Sequence, residues 1–154
     1  MAKNQVKYLL LLCGVSSWLV LFGCDSSALE TGQFEAEVSG NDWRGRGYAE
    51  YSSQGELIIR ASRWQGEDLE EFLIYVDFDG TKTYLLAEGK ARFRISIGGD
   101  LAGALYKSFE REGDRIIISE YDPSQGRFVG TFSFDARGKE GDLSVRKGRF
   151  DVAL

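Results

Sequence analysis

From Gln33 onward apolar and polar residues alternate in short runs, rich in β-branched and aromatic side chains and broken by Gly, Asn, Asp and Ser. A period of two puts every second side chain on one face, so these runs predict half-buried β-strands. Phe34, Ala36 and Val38 alternate with Glu35 and Glu37; Ser39-Gly40-Asn41-Asp42 supplies a turn, and Trp43 opens the returning strand of a hairpin. Leu57 to Arg63 is a third strand, followed by a loop at Gln65 to Asp68. Phe72, Ile74, Val76 and Phe78 then alternate against Glu71, Leu73, Tyr75 and Asp77, with the even positions expected in the core. After a turn at Asp79-Gly80 come short strands at Thr81 to Ala87 and Ala91 to Ile97, and a less regular one at Leu101 to Phe109.

The last third is the most regular. Arg115 to Tyr121 is rich in isoleucine, and Asp122-Pro123-Ser124-Gln125-Gly126 forms a turn. Phe128, Gly130, Phe132 and Phe134 then share one face while Val129, Thr131, Ser133 and Asp135 take the other. After a loop at Arg137 to Gly141, Leu143 and Val145 are apolar at odd positions, whereas Phe150, Val152 and Leu154 are apolar at even ones. A β-bulge at Lys147-Gly148 restores the alternation, with Gly148 expected in the left-handed conformation such a bulge needs. About nine or ten strands with short connections and a single proline predict an antiparallel all-β domain, either a sandwich or a partly closed barrel, with mostly sequential pairing.

The chain ahead of this domain is written differently. Lys3 and Lys7 form a positive start, and Tyr8 to Phe22 is apolar but shorter than the roughly 20 residues of a spanning helix. Leu21-Phe22-Gly23-Cys24 resembles the lipobox of bacterial lipoproteins, with Phe22 standing where a small or β-branched residue is commoner. The resemblance implies cleavage between Gly23 and Cys24, removal of residues 1–23, diacylglyceration of the Cys24 thiol and acylation of its new amine, with palmitate a typical chain. An ordinary signal peptidase site and a plain membrane anchor are the other readings. Residues 24–32 then form the lipidated cysteine and a tether, and residues 33–154 the all-β domain. Asp25 to Gly32 reaches at most about 26 to 29 Å, which would hold the domain close to its membrane. The expected location is a bacterial cell envelope, with the outer membrane favoured. The inner membrane stays open because Asp25 resembles the retention signal of enteric bacteria.

Composition narrows the chemistry. Residues 24–154 are 131 in number, enough for one domain with its own core. They hold 17 basic and 24 acidic side chains, a net charge of −7, which disfavours nucleic acid as a partner. Both cysteines, Cys13 and Cys24, lie at or before the cleavage point, so neither a disulfide nor a thiolate metal site is expected within the domain. The chain has no histidine, so Ser119, Ser124 and Ser133 lack the usual activating base. No cofactor, metal or catalytic residue is expected.

Three blocks carry a family resemblance. Ile116-Ile117-Ile118-Ser119-Glu120-Tyr121-Asp122, Gly130-Thr131-Phe132-Ser133-Phe134-Asp135-Ala136 and Lys147-Gly148-Arg149-Phe150-Asp151-Val152 resemble the closing strands of small lipoproteins best known from Bacteroidetes-type envelopes and grouped as domains of unknown function. Phe34, Ala36, Val38, Gly40 and Trp43 match the N-terminal hairpin of that group. Lys147 stands where the group usually has asparagine. The resemblance implies a lipid-anchored β-domain and no particular activity.

Four sets of residues carry candidate chemistry. Arg44 and Arg46, projecting between Trp43 and Tyr48, suit an anion or a sugar ring, although arginines on an exposed strand give the same sequence. Asp77 and Asp79 on one face of a strand end suit a cation or an acid and base pair, against the simpler reading of a hairpin turn. Glu67, Asp68, Glu70 and Glu71, after Arg60 and Arg63, read as an exposed acidic loop or a weak cation site. Trp43, Trp64, Phe72, Phe93, Phe132 and Phe134 read as core. The expected function is a non-catalytic binding or structural domain held to a membrane, with an envelope protein or a small ligand as partner. A lipocalin-like carrier of a small hydrophobic ligand and a carboxylate-based hydrolase are the alternatives.

Overall fold

The computed structural model describes residues 28–98 and 103–154. Gly23, Cys24 and the whole signal segment lie outside the described residues, as do the first two residues of the strand expected from Leu101. Among the described residues ten strands form: β1 (Gln33–Val38), β2 (Asn41–Tyr51), β3 (Leu57–Gln65), β4 (Asp68–Val76), β5 (Thr83–Leu85), β6 (Ala91–Ser96), β7 (Leu105–Ser108), β8 (Arg115–Asp122), β9 (Arg127–Gly138) and β10 (Gly141–Ala153). All ladders are antiparallel, and β1-β2-β3-β4-β6-β7-β9-β10 closes on itself through the β10–β1 pairing. The fold is thus an eight-stranded closed barrel with two extra strands. One edge of β9 is divided, Arg127 to Ser133 pairing with β8 and Ala136 and Arg137 with β7. This division lets β8 and β5 hang outside the closed ring.

Pairing is sequential from β1 to β4 and from β8 to β10. Two expected strands are shorter than the alternation suggested. Only Thr83–Leu85 of the Thr81 to Ala87 run is extended, and it pairs with β8; in the described part of the least regular strand, Leu105–Ser108 is extended. The wall starts earlier than Gln33, because the Gly32 N–H donates to the Asp151 carbonyl and the Gly32 carbonyl accepts from Gly47 N–H.

Aromatic rings fill the interior. Phe34, Trp43, Phe72, Phe134 and Phe150 are fully buried, with Phe93 and Phe132 nearly so. Phe72 lies 4.8 Å from Trp43, 4.7 Å from Phe93 and 5.2 Å from Phe34 between ring centroids. These separations are those of rings in contact, and each such pair adds to the burial of large apolar surface. A second cluster of Phe78, Tyr84, Tyr121 and Phe128 closes the end where β9 begins.

The bulge on β10 is present, and its details differ from expectation. Val145 faces Phe134 and Gly148 faces Phe132, so β10 spends one more residue than β9 there, and β1 shows the same offset between Glu35 and Glu37. The left-handed residue is Lys147, with φ of 52°, rather than Gly148. Asparagine tolerates that conformation better than lysine. Lys147→Asn is therefore expected to leave the fold intact and raise the urea midpoint slightly, whereas Lys147→Val should lower it. A second bulge sits at Ser119, between Ile118 opposite Gly130 and Glu120 opposite Val129.

Candidate functional site

The inner face of the barrel end formed by the β1–β2 and β3–β4 turns is capped by one side chain. Arg63 points inward from β3; its Nε donates to Glu70 Oε2 at 2.8 Å and its guanidinium lies 5.2 Å above the Trp43 ring. Trp43 Nε1 donates to the same Glu70 oxygen at 2.6 Å, and the Arg63 terminal nitrogens reach Gln65 and the Asp42 carbonyl. A buried indole N–H and a half-buried carboxylate are both satisfied, and the arginine stacks on the aromatic floor. Above this cap lies an open hollow of about 620 Å³. Below it the rings of Phe34, Phe72, Phe93 and Phe132 pack against one another.

The candidate residues of β2 divide between two faces. Trp43 points into the core, while Arg44, Arg46 and Tyr48 point outward, so Trp43 does not stand beside the arginines as the sequence suggested. Arg60 stands over the exposed Tyr48 ring, its guanidinium carbon 5.8 Å from the centroid. The aromatic residue that does accompany Arg44 and Arg46 is Trp64, which was expected in the core and is 65% exposed. The three line one groove of about 720 Å³ on the outer wall of β1, β2 and β3, with Gln33, Glu35 and Ser62. The β2–β3 ladder stops at Arg46 opposite Ser62, so the groove opens where the two strands cease to pair. Arg44 reaches Glu35 at 3.5 Å, but Glu35 also takes Arg149 at 2.7 Å. Arg46 makes no ion pair among the described residues.

The carboxylate candidates are matched to cations. Asp77 and Asp79 lie past the end of β4, and both are exposed; Lys90 stands 3.4 Å from Asp77 and Lys82 2.6 Å from Asp79. Hydrogen bonds from Lys82 and Tyr84 hold the Asp79 carboxyl below its ordinary range. The expected acidic loop does not exist as a cluster, since β4 begins at Asp68 and alternation sends Glu70 inward to Trp43 and Glu71 outward to Arg94. Among the described residues no three Asp, Glu, His or Cys side chains converge closely enough to share a metal ion.

One charged cluster was missed. Asp114 and Asp135 are both nearly buried on the outer side of β9, where Asp135 binds Arg111 and Arg146, the latter at 2.5 Å. Asp114 Oδ2 accepts the Asp135 backbone N–H at 3.2 Å. Burial pushes the Asp114 carboxyl up; the Asp135 N–H opposes this, the Asp135 carboxylate adds to it, and Arg146 and Arg111 oppose it again. A value raised on folding means that the native state binds the proton more tightly than the unfolded chain. Asp114's contribution therefore falls as pH rises from the unfolded value, about 3.9, through the raised value. Asp114→Asn keeps an oxygen for Asp135 N–H, so urea midpoints should favour the variant increasingly from acid toward neutral pH. Sequence spacing gives no sign of this cluster, because Asp114 lies in a loop and only the fold brings it to Asp135.

A model described as a domain of unknown function (DUF6252) matches residues 30–151. The chain belongs to this family. No curated protein and no solved structure matches it. The matched span takes in the Gly32 contact and every strand of the barrel except the last two residues of β10.

Proposed function

We propose that this DUF6252 chain is a lipid-anchored, non-catalytic binding domain of a bacterial envelope that works through its outer wall. The observation that carries the reading is the contrast between a ring-filled interior capped by Arg63 and an open groove with exposed Trp64 and Arg46. Exposed aromatic and arginine side chains are the types most often found at binding hot spots. Sequence supports the anchor through Leu21-Phe22-Gly23-Cys24. Ala28 and Leu29 lie against the β9–β10 wall with Arg127, Arg149 and Asp151. A lipid on Cys24 would be tethered from that wall, which adjoins the β1–β3 groove through the Arg149–Glu35 pair.

Two measurements test this reading. Cys24→Ser is expected to remove fatty-acid label and membrane association while leaving the barrel folded, since three acyl chains anchor stably where one binds only reversibly at about 0.8 kcal/mol per buried methylene. Label retained by the variant contradicts the anchor. A photo-crosslinking residue in place of Trp64 should give a discrete adduct in the native envelope that the same residue in place of the exposed Leu85 does not. Identical outcomes at the two positions contradict the groove.

A further inference from the structure

Two guanidinium groups and one indole on the same open wall define a narrow class of ligand. Arg44 and Arg46 are two residues apart on one strand face, which places them about 7 Å from each other along β2. Forked N–H donors at that spacing suit a carboxylate, which accepts bidentate hydrogen bonds. Across the strand pair, the floor is the small side chain of Ser62, and Trp64 rises from the same side of β3. A flat, exposed indole binds another flat apolar face, and the C–H face of a pyranose ring is one that carries polar groups on its rim. Gln33, Ser62 and Glu35 supply hydrogen-bonding side chains around such a rim.

Charge narrows the class further. A domain of net charge −7 repels long polyanions as a whole, yet this patch holds one arginine without an ion pair among the described residues and another whose carboxylate partner is shared. A local positive site on an acidic body favours a ligand with isolated charges on a neutral frame. We infer that the groove over Ser62 binds an acidic sugar, a uronate ring stacked on Trp64 with its carboxylate held by Arg44 and Arg46. This inference rests on the reading of the chain as a binding domain and names the ligand class of the same groove.

The test is calorimetric titration of the detergent-solubilised full-length lipoprotein with methyl galacturonoside, which carries one carboxylate, with its methyl ester, and with inorganic phosphate. The ester keeps the ring and removes the charge; phosphate keeps the charge and removes the ring. Saturable binding of the acid is expected, with the ester weaker by about tenfold or more, as the loss of a charge-assisted hydrogen bond predicts, and with phosphate a poor competitor. Arg44→Gln with Arg46→Gln should bring the acid down to the affinity of the ester, and Trp64→Ala should weaken both. All three side chains are exposed, so unchanged melting temperatures are expected to accompany these losses. Equal binding of acid and ester, no binding of the acid at millimolar concentration, or equal competition by phosphate each overturns the inference. An adduct at position 64 in the native envelope together with no binding of the acid would overturn the ligand class alone and leave the binding domain standing.

Discussion

Phe132→Ala is expected to cost about 3 to 5 kcal/mol in urea unfolding, while Ser133→Ala costs little. The two residues are neighbours on β9 and differ in what they face. Phe132 is 3% exposed and meets Phe34 at 4.8 Å, with Phe72, Phe134 and Phe150 between 6.0 and 6.4 Å away. Removing that ring leaves a cavity bounded by other rings, which have little freedom to collapse into it. Ser133 projects to the outer side and has no comparable contact to lose. Equal losses in the two variants would mean that the packing is shared by both faces of β9.

Gly148→Val is expected to destabilise the barrel by about 1 to 3 kcal/mol or more, although strand propensity alone predicts a gain. A Cβ at Gly148 would stand 2.5 Å from two carbons of the Phe132 ring. Real contacts are never that short, and the ring is held by Phe34 on its other side. The glycine is thus needed for close approach, with its backbone in an ordinary conformation and the left-handed angle carried by Lys147. The two variants are accordingly coupled. In a Phe132→Ala background Gly148→Val should cost much less than in the native protein, because the obstructing ring is gone. A cost independent of Phe132 would point back to backbone strain at Gly148.

The fold was legible where one face of a strand is buried and the other wet. Phe34 and Ala36 of β1, Phe72, Ile74 and Val76 of β4 and the aromatic face of β9 reach the core as their alternation predicts, with Val38 packed against it. The change of phase between Val145 and Phe150 also marked a true bulge. Closure was not legible, because a sandwich and a barrel use the same alternation and differ only in whether β10 pairs with both β9 and β1. Trp64 misled for a related reason. Leu57, Ile58 and Ile59 are all buried at the start of β3, so the run does not fix its inward parity, and a tryptophan near its end reads as core by type. Arg44 and Arg46 were recognisable as a pair from spacing on one strand. Their aromatic partner was not, since Trp64 comes from the neighbouring strand and meets them only through the β2–β3 register.

The claim that the outer wall of β1, β2 and β3 is the working surface is tested most directly by hydrogen exchange, comparing the protein in its native envelope with the purified lipoprotein. Added protection in the envelope should concentrate at Gln33–Val38, Asn41–Tyr51 and Leu57–Gln65, with β5 and β8 exchanging alike in both samples. Protection confined to β8 and β9, or no difference anywhere, would contradict the account.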